Sequence, residues 1–184
     1  TSWRPINDQA LSPSIMYMHQ NPFNPKVIYY CTGEASGNSA DLNGAGVFKS
    51  TDGGVNWTAT SGQPVSGWAN TQAWYSLTAA INPSNTNQFM VGGLDCHKTT
   101  DGGATWTQIS NWVGTTGQYV HADMHDLVWY DNGNKLLFAC DGGIHYSADK
   151  GTTIRDRNVG LRLKQFYSVA VHPTTTDYFL AGAQ

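Results

Sequence analysis

The chain has 184 residues, a net charge of −3 and charged side chains at only 12% of positions, with 20 glycines, seven tryptophans and nine tyrosines marking a strand- and turn-rich composition. Its ten lysines and arginines are scattered, which excludes a basic nucleic-acid face, and no apolar run approaches the ~20 residues of a membrane-spanning helix. Cys31, Cys96 and Cys140 show no CxxC spacing, so zinc-ribbon and thioredoxin-like chemistry lack support and no cofactor is implied.

In chain order, residues 3–6 read as a lone outer strand D. Three four-strand units follow, at about 14–61, 74–111 and 124–158, and an A–B hairpin occupies 165–184. Strand A of each unit (15–18, 76–81, 126–130 and 166–171) meets a polar turn that enters an apolar strand B, at 21–30, 82–91, 131–139 and 172–180. Strand C then runs into an eight-residue box: Ser50-Thr-Asp-Gly-Gly-Val-Asn-Trp57, Thr99-Thr-Asp-Gly-Gly-Ala-Thr-Trp106 and Ser147-Ala-Asp-Lys-Gly-Thr-Thr-Ile154. The box aspartates are 49 and 48 residues apart, the interval of one propeller blade.

Each box is expected to be a tight turn between strands C and D. Asp52, Asp101 and Asp149 accept hydrogen bonds from nearby backbone N–H groups, and Gly54, Gly103 and Gly151 allow positive φ. Trp57 and Trp106 open strand D and bury their rings. The roles are structural. The fold expected is all-β, a partial β-propeller of four-stranded antiparallel blades. Propellers hide sheet edges by closing a ring, and this chain stops inside a blade, so a segment of a larger propeller is expected, with the remaining blades of the parent chain as partners.

The boxes, with Thr32-Gly33-Glu34 and the run GAGVFKSTDGGVNW that ends at Trp57, resemble the Asp-box (BNR-repeat) propeller superfamily. That superfamily includes sialidases, xyloglucanase-type glycoside hydrolases and sortilin-like receptor propellers. HADMHDLVW at 121–129 and ACDGGIHYS at 139–147 are similar, more narrowly, to secreted sortilin-like BNR proteins of Bacteroidetes-type bacteria. The resemblance implies an extracellular or cell-surface location and leaves activity open, since this fold hosts enzymes and pure binders alike.

Blade geometry places the A–B and box turns on one face and the B–C and D–A connections on the other. The second, loop-bearing face carries the long segments 33–46, 61–74, 111–123 and 158–164, and a ligand is expected there. Strand B ends in an acid in each complete unit: Glu34, Asp95 and Asp141. A glycosidase needs two carboxylates roughly 5–9.5 Å apart, which makes these three the candidate catalytic residues. Asp141-Gly-Gly loosely resembles the catalytic Asp of xyloglucanase-type enzymes. The competing reading has each acid capping the turn that leaves strand B.

His121, Asp123 and His125 fall on one face if their stretch is extended, and suit a ligand contact, a metal such as zinc, or a hydrogen-bond network; they are assigned here as ligand contacts, with no metal. Trp68, Trp74 and Tyr119, with Trp112 nearby, are the aromatic candidates for packing on a saccharide or a peptide side chain, against the alternative of burial between blades. A sialidase needs three converging arginines. Arg4, Arg155 and Arg157 fall on outer strands and Arg162 beside them, which disfavours that activity. The cysteines occupy apolar core positions and are expected as free buried thiols, with Cys31 and Cys140 aligned to Val91. The function expected is a module binding or scaffolding glycans or partner proteins. A glycoside hydrolase is the alternative.

Overall fold

The computed structural model describes residues 15–33, 46–65, 68–69, 72–114, 118–161, 166–175 and 177–183. Residues 3–6 and Glu34 lie outside them. Three antiparallel four-stranded sheets form in chain order. The first holds β1 (Ile15–Gln20), β2 (Ile28–Gly33), β3 (Val47–Ser50) and β4 (Thr58–Ala59). The second holds β5 (Thr78–Ile81), β6 (Phe89–Gly92), β7 (Cys96–Thr99) and β8 (Thr107–Gln108). The third holds β9 (Met124–Tyr130), β10 (Lys135–Cys140), β11 (Gly143–Ser147) and β12 (Arg155–Asp156). A hairpin of β13 (Phe166–Val171) and β14 (Phe179–Ala183) follows.

Consecutive sheets stack through their inner strands, β1 beside β5 and β5 beside β9, as blades of a partial β-propeller. The second sheet is covered on both faces, so β5 and β6 are buried throughout and read as unbroken apolar or small runs. Tyr29 stacks on Phe89 at 4.3 Å between the first two sheets, while Met90, Met124, Leu136 and Phe138 fill the next seam. The described side chains of β13 and β14 are all exposed.

The three box turns share a common set of hydrogen bonds, except that in the third the Thr152 N–H donates to the Asp149 carbonyl instead of the carboxylate. In the first, Ser50 Oγ donates to Asp52 Oδ1 at 2.8 Å, and the N–H groups of Val55 and Asn56 donate to the same oxygen at 3.0 and 2.9 Å. Asp101 receives Ala104 and Thr105 N–H in the same way, and Asp149 receives Thr153 N–H. These bonds hold the carboxylates below their usual range, Asp52 at about 2. Gly54, Gly103 and Gly151 have φ of 87°, 95° and 85°. Trp57 meets Tyr30 edge-on at 4.7 Å, whereas Trp106 Nε1 reaches back to the Gly62 carbonyl of the preceding sheet.

All three cysteines are free and buried. Their register differs from the expectation by one residue. Cys31 pairs with Val47 as Gly92 pairs with Cys96 and Ala139 with Ile144, so neither Cys31 nor Cys140 aligns with Val91. Cys140 lies one step further along, beyond an irregularity at Ala139/Cys140.

Candidate functional site on the loop-bearing face

Two of the strand-B acids are described, and their environments differ. Asp95 Oδ1 accepts Ser110 Oγ at 3.1 Å and Trp112 N–H at 2.9 Å, and its Oδ2 accepts Gln108 Nε2 at 3.2 Å. Burial raises its pKa, and the Ser110 and Trp112 hydrogen bonds oppose that rise. Asp95 therefore anchors the segment leaving β8, with both oxygens engaged.

Asp141 is open to solvent, its side chain 36% exposed. His125 Nε2 lies 2.6 Å from its Oδ1, and Tyr75 OH donates to both carboxylate oxygens at 3.1 Å. The Tyr75 ring stands edge-on to the His125 imidazole at 5.0 Å, and Trp74 adjoins Tyr75 at 5.6 Å with its side chain projecting outward, 59% exposed. Phenol, imidazole and carboxylate thus converge beside an open indole.

Local backbone builds this convergence. Residues 72–76 coil into a tight turn, with Tyr75 and Ser76 N–H groups both donating to the Gln72 carbonyl. Ser76 Oγ then donates to Asp123 Oδ1 at 3.0 Å, tying that turn to the start of the third sheet. Asp123 has φ of 64°, a left-handed conformation that a short polar side chain tolerates. Its carbonyl accepts Asp141 N–H at 3.3 Å. Beyond it, Ala139 pairs with Asp126 and Cys140 with Met124, which leaves His125 as the extra residue of a β-bulge. Bulges re-aim side chains, and this one turns the imidazole toward Asp141. Gly142 completes the fit, because a Cβ there would meet His121 Cβ at 2.3 Å.

The sequence places His121, Asp123 and His125 on one face only if the strand is extended. Positive φ at Asp123 and the bulge at His125 break that path: His125 joins Asp141, Asp123 joins Ser76, and His121 Nδ1 lies 3.2 Å from the Ala122 carbonyl. Among the described residues no three His, Cys, Asp or Glu side chains could hold a metal ion. Trp68 is buried in the first inter-sheet core and cannot present its ring, whereas Trp74, Trp112 and Tyr119 are exposed. Tyr119 lies edge-on to His145 at 6.4 Å. Arg155 lies in β12 and Arg157 covers the Tyr146 ring at 5.0 Å; Arg4 and Arg162 lie outside the described residues. Sequence reasoning missed Tyr75, for which only its place beside Trp74 in a loop-face segment was a signal.

No protein-family model and no curated protein matches the chain. Solved structures do. The GH74 enzyme of Niastella koreensis superposes with a TM-score of 0.50 at 20% identity, covering 76% of this chain and 22% of that one. An ancestral GH74 enzyme gives a TM-score of 0.50 at 13% identity, over 85% of this chain and 20% of that one. YCF48 from Cyanidioschyzon merolae overlaps more loosely, with a TM-score of 0.47, 12% identity, and 91% and 55% coverage. The chain spans about a fifth of the length of the two GH74 structures, and at these identities the likeness is one of fold.

Proposed function

We propose that this chain is part of an extracellular or cell-surface Asp-box propeller, of the sortilin-like BNR kind, whose loop-bearing face binds partner molecules. The carrying observation is the open Trp74 indole fixed beside the Tyr75–His125–Asp141 cluster. An exposed ring on a rigid turn next to an oriented carboxylate supplies contact area and directional polar groups with little ordering cost. The Asp-box assignment is supported by three turns with matching hydrogen bonds at Asp52, Asp101 and Asp149. The exposed apolar residues Val169, Val171, Tyr178, Phe179 and Leu180 on the terminal hairpin support further blades as its neighbours.

Binding of the protein to immobilised glycans and to peptides, before and after Trp74→Ala, tests this reading. Retention that falls about tenfold in the variant, with an unchanged melting temperature, is expected for an exposed aromatic anchor. Retention indifferent to Trp74, or no retention on any support, would remove the reading.

A glycoside hydrolase is the second reading, favoured by the solvent-open Asp141. It needs a second carboxylate across the scissile bond, and Asp95 does not supply it, because both its oxygens hold the chain around β8. Release of reducing sugar from neutral polysaccharides, abolished in Asp141→Asn, would establish hydrolysis. Absence of release from the unaltered protein would end it.

A further inference from the structure

We propose that the Trp74–Tyr75–Asp141 cluster recognises the ammonium or guanidinium group of a lysine or arginine side chain on a partner polypeptide. This rests on the binding-face reading above and names its partner.

Charge comes first. Among the described residues His125 is the only cationic side chain within 4.0 Å of Asp141, and an imidazole carries charge only when protonated. When it is neutral, its Nε2–H donates to Asp141 and the pair keeps one negative charge. Both protein donors converge on Oδ1, with Tyr75 also reaching Oδ2. A carboxylate offers about four lone-pair sites, so acceptor capacity remains for an incoming N–H group. An anionic ligand would meet like charge there.

The rings come second. Three cations of this molecule already lie over aromatic faces: Lys49 over Tyr29 at 5.1 Å, Lys135 over Tyr130 at 6.0 Å and Arg157 over Tyr146 at 5.0 Å. Trp74 has the ring type that holds cations best, is 59% exposed, and among the described residues has no cation of its own. Its plane meets that of Tyr75 at 47°, and the Tyr75 hydroxyl in turn donates to the Asp141 carboxylate, so the exposed indole and the carboxylate are joined through one phenol. A long side chain with an apolar stem and a cationic head fits both parts. A purely apolar side chain would leave the carboxylate facing it unmatched.

Rigidity comes third. Ser76, Asp123 and Gly142 fix the turn, the strand entry and the Asp141 backbone against one another, so the cluster is assembled before a ligand arrives.

Fluorescence anisotropy with a labelled (Gly-Ser-Arg)4 peptide and its Lys, Glu and Ser counterparts tests the inference, with neutral cello-oligosaccharide as competitor. The Arg and Lys peptides are expected to bind and the Glu and Ser peptides not. Asp141→Asn should weaken binding about tenfold and Trp74→Ala about three- to tenfold, the range of a desolvated charge pair and a cation–π contact. Asp177→Asn removes an exposed acid from the β13–β14 turn and should change nothing, which controls for net charge. Equal weakening by Asp177→Asn and Asp141→Asn, or equal binding of the Glu peptide, would overturn the proposal. So would oligosaccharide binding lost in Trp74→Ala without any peptide binding, and that result would leave the binding face itself intact. No binding of any probe would overturn both.

Discussion

Lys150 holds φ at 61° in the third box, where the first two boxes place Gly53 and Gly102 at 80° and 76°. A side chain in the left-handed region costs ~1–2 kcal/mol relative to its favoured conformations. Lys150→Gly is therefore expected to stabilise the protein by ~0.5–1 kcal/mol after the added unfolded-state entropy, measured by chemical denaturation. The box residues were legible because the turn is local: Ser50, Asp52 and Gly54 lie within five positions and satisfy one another. The candidate cluster was legible only in pieces. Asp141 stood out as an acid ending strand B, but Tyr75 reaches it across 66 positions of sequence. His125 reaches it through a one-residue bulge that strict alternation does not reveal. Trp68 and Trp74 look alike in sequence, and only the backbone path decides that one is buried and the other exposed.

Between elements, the polar A–B turns do more than reverse the chain. Asn21 is fully buried and its Nδ2 donates to the Asn82 carbonyl of the next sheet at 2.9 Å. Asn82, equally buried, donates to the Gly133 carbonyl of the third sheet at 2.9 Å, and Ser84 Oγ to the Asn132 carbonyl at 2.7 Å. The two asparagines thus link all three sheets through backbone carbonyls. Asn82→Ala leaves a buried carbonyl unpaired and is expected to cost ~2–3 kcal/mol, read as a shift in denaturation midpoint. A loss below half a kcal/mol would mean the link is ornamental. The turn itself was readable from its Asn and Pro, but its reach into the next sheet was not, because a periodic pattern shows repeats and not their contacts. The outer strands expected from Trp57, Trp106 and Ile154 onward pair over only two residues each. Asp52, Asp101 and Asp149 take the N–H groups just before those strands, and β4, β8 and β12 start late.

For the whole molecule, acid is the relevant stress. His97 is buried, and burial lowers its pKa to about 4 against the opposing pull of the Asp95 backbone. His145 and His19 are also lowered by burial, against the opposing charges of Asp156 and Asp126 respectively. Each binds its proton more weakly folded than unfolded, so stability is full above the unfolded value near 6.5 and declines as pH falls toward the folded values. His97 alone accounts for up to ~3 kcal/mol between pH 6.5 and 4. The box carboxylates add a later loss below pH 4, as Asp52 is protonated toward about 2. Melting temperatures across pH 7 to 4 should fall, and His97→Gln should flatten that fall.

The sheet count and order followed from the 49- and 48-residue box spacing, because a repeat that buries its face only against its neighbour must be copied at a fixed interval. The proposed division of labour between the two faces is tested most directly by titrating the isotope-labelled protein with the (Gly-Ser-Arg)4 peptide and following amide and indole resonances. The account predicts shifts at Trp74, Tyr75 and the Asp141–Gly142 turn, with the Asp52, Asp101 and Asp149 turns unmoved. Shifts concentrated at those three box turns, with Trp74 silent, would contradict it.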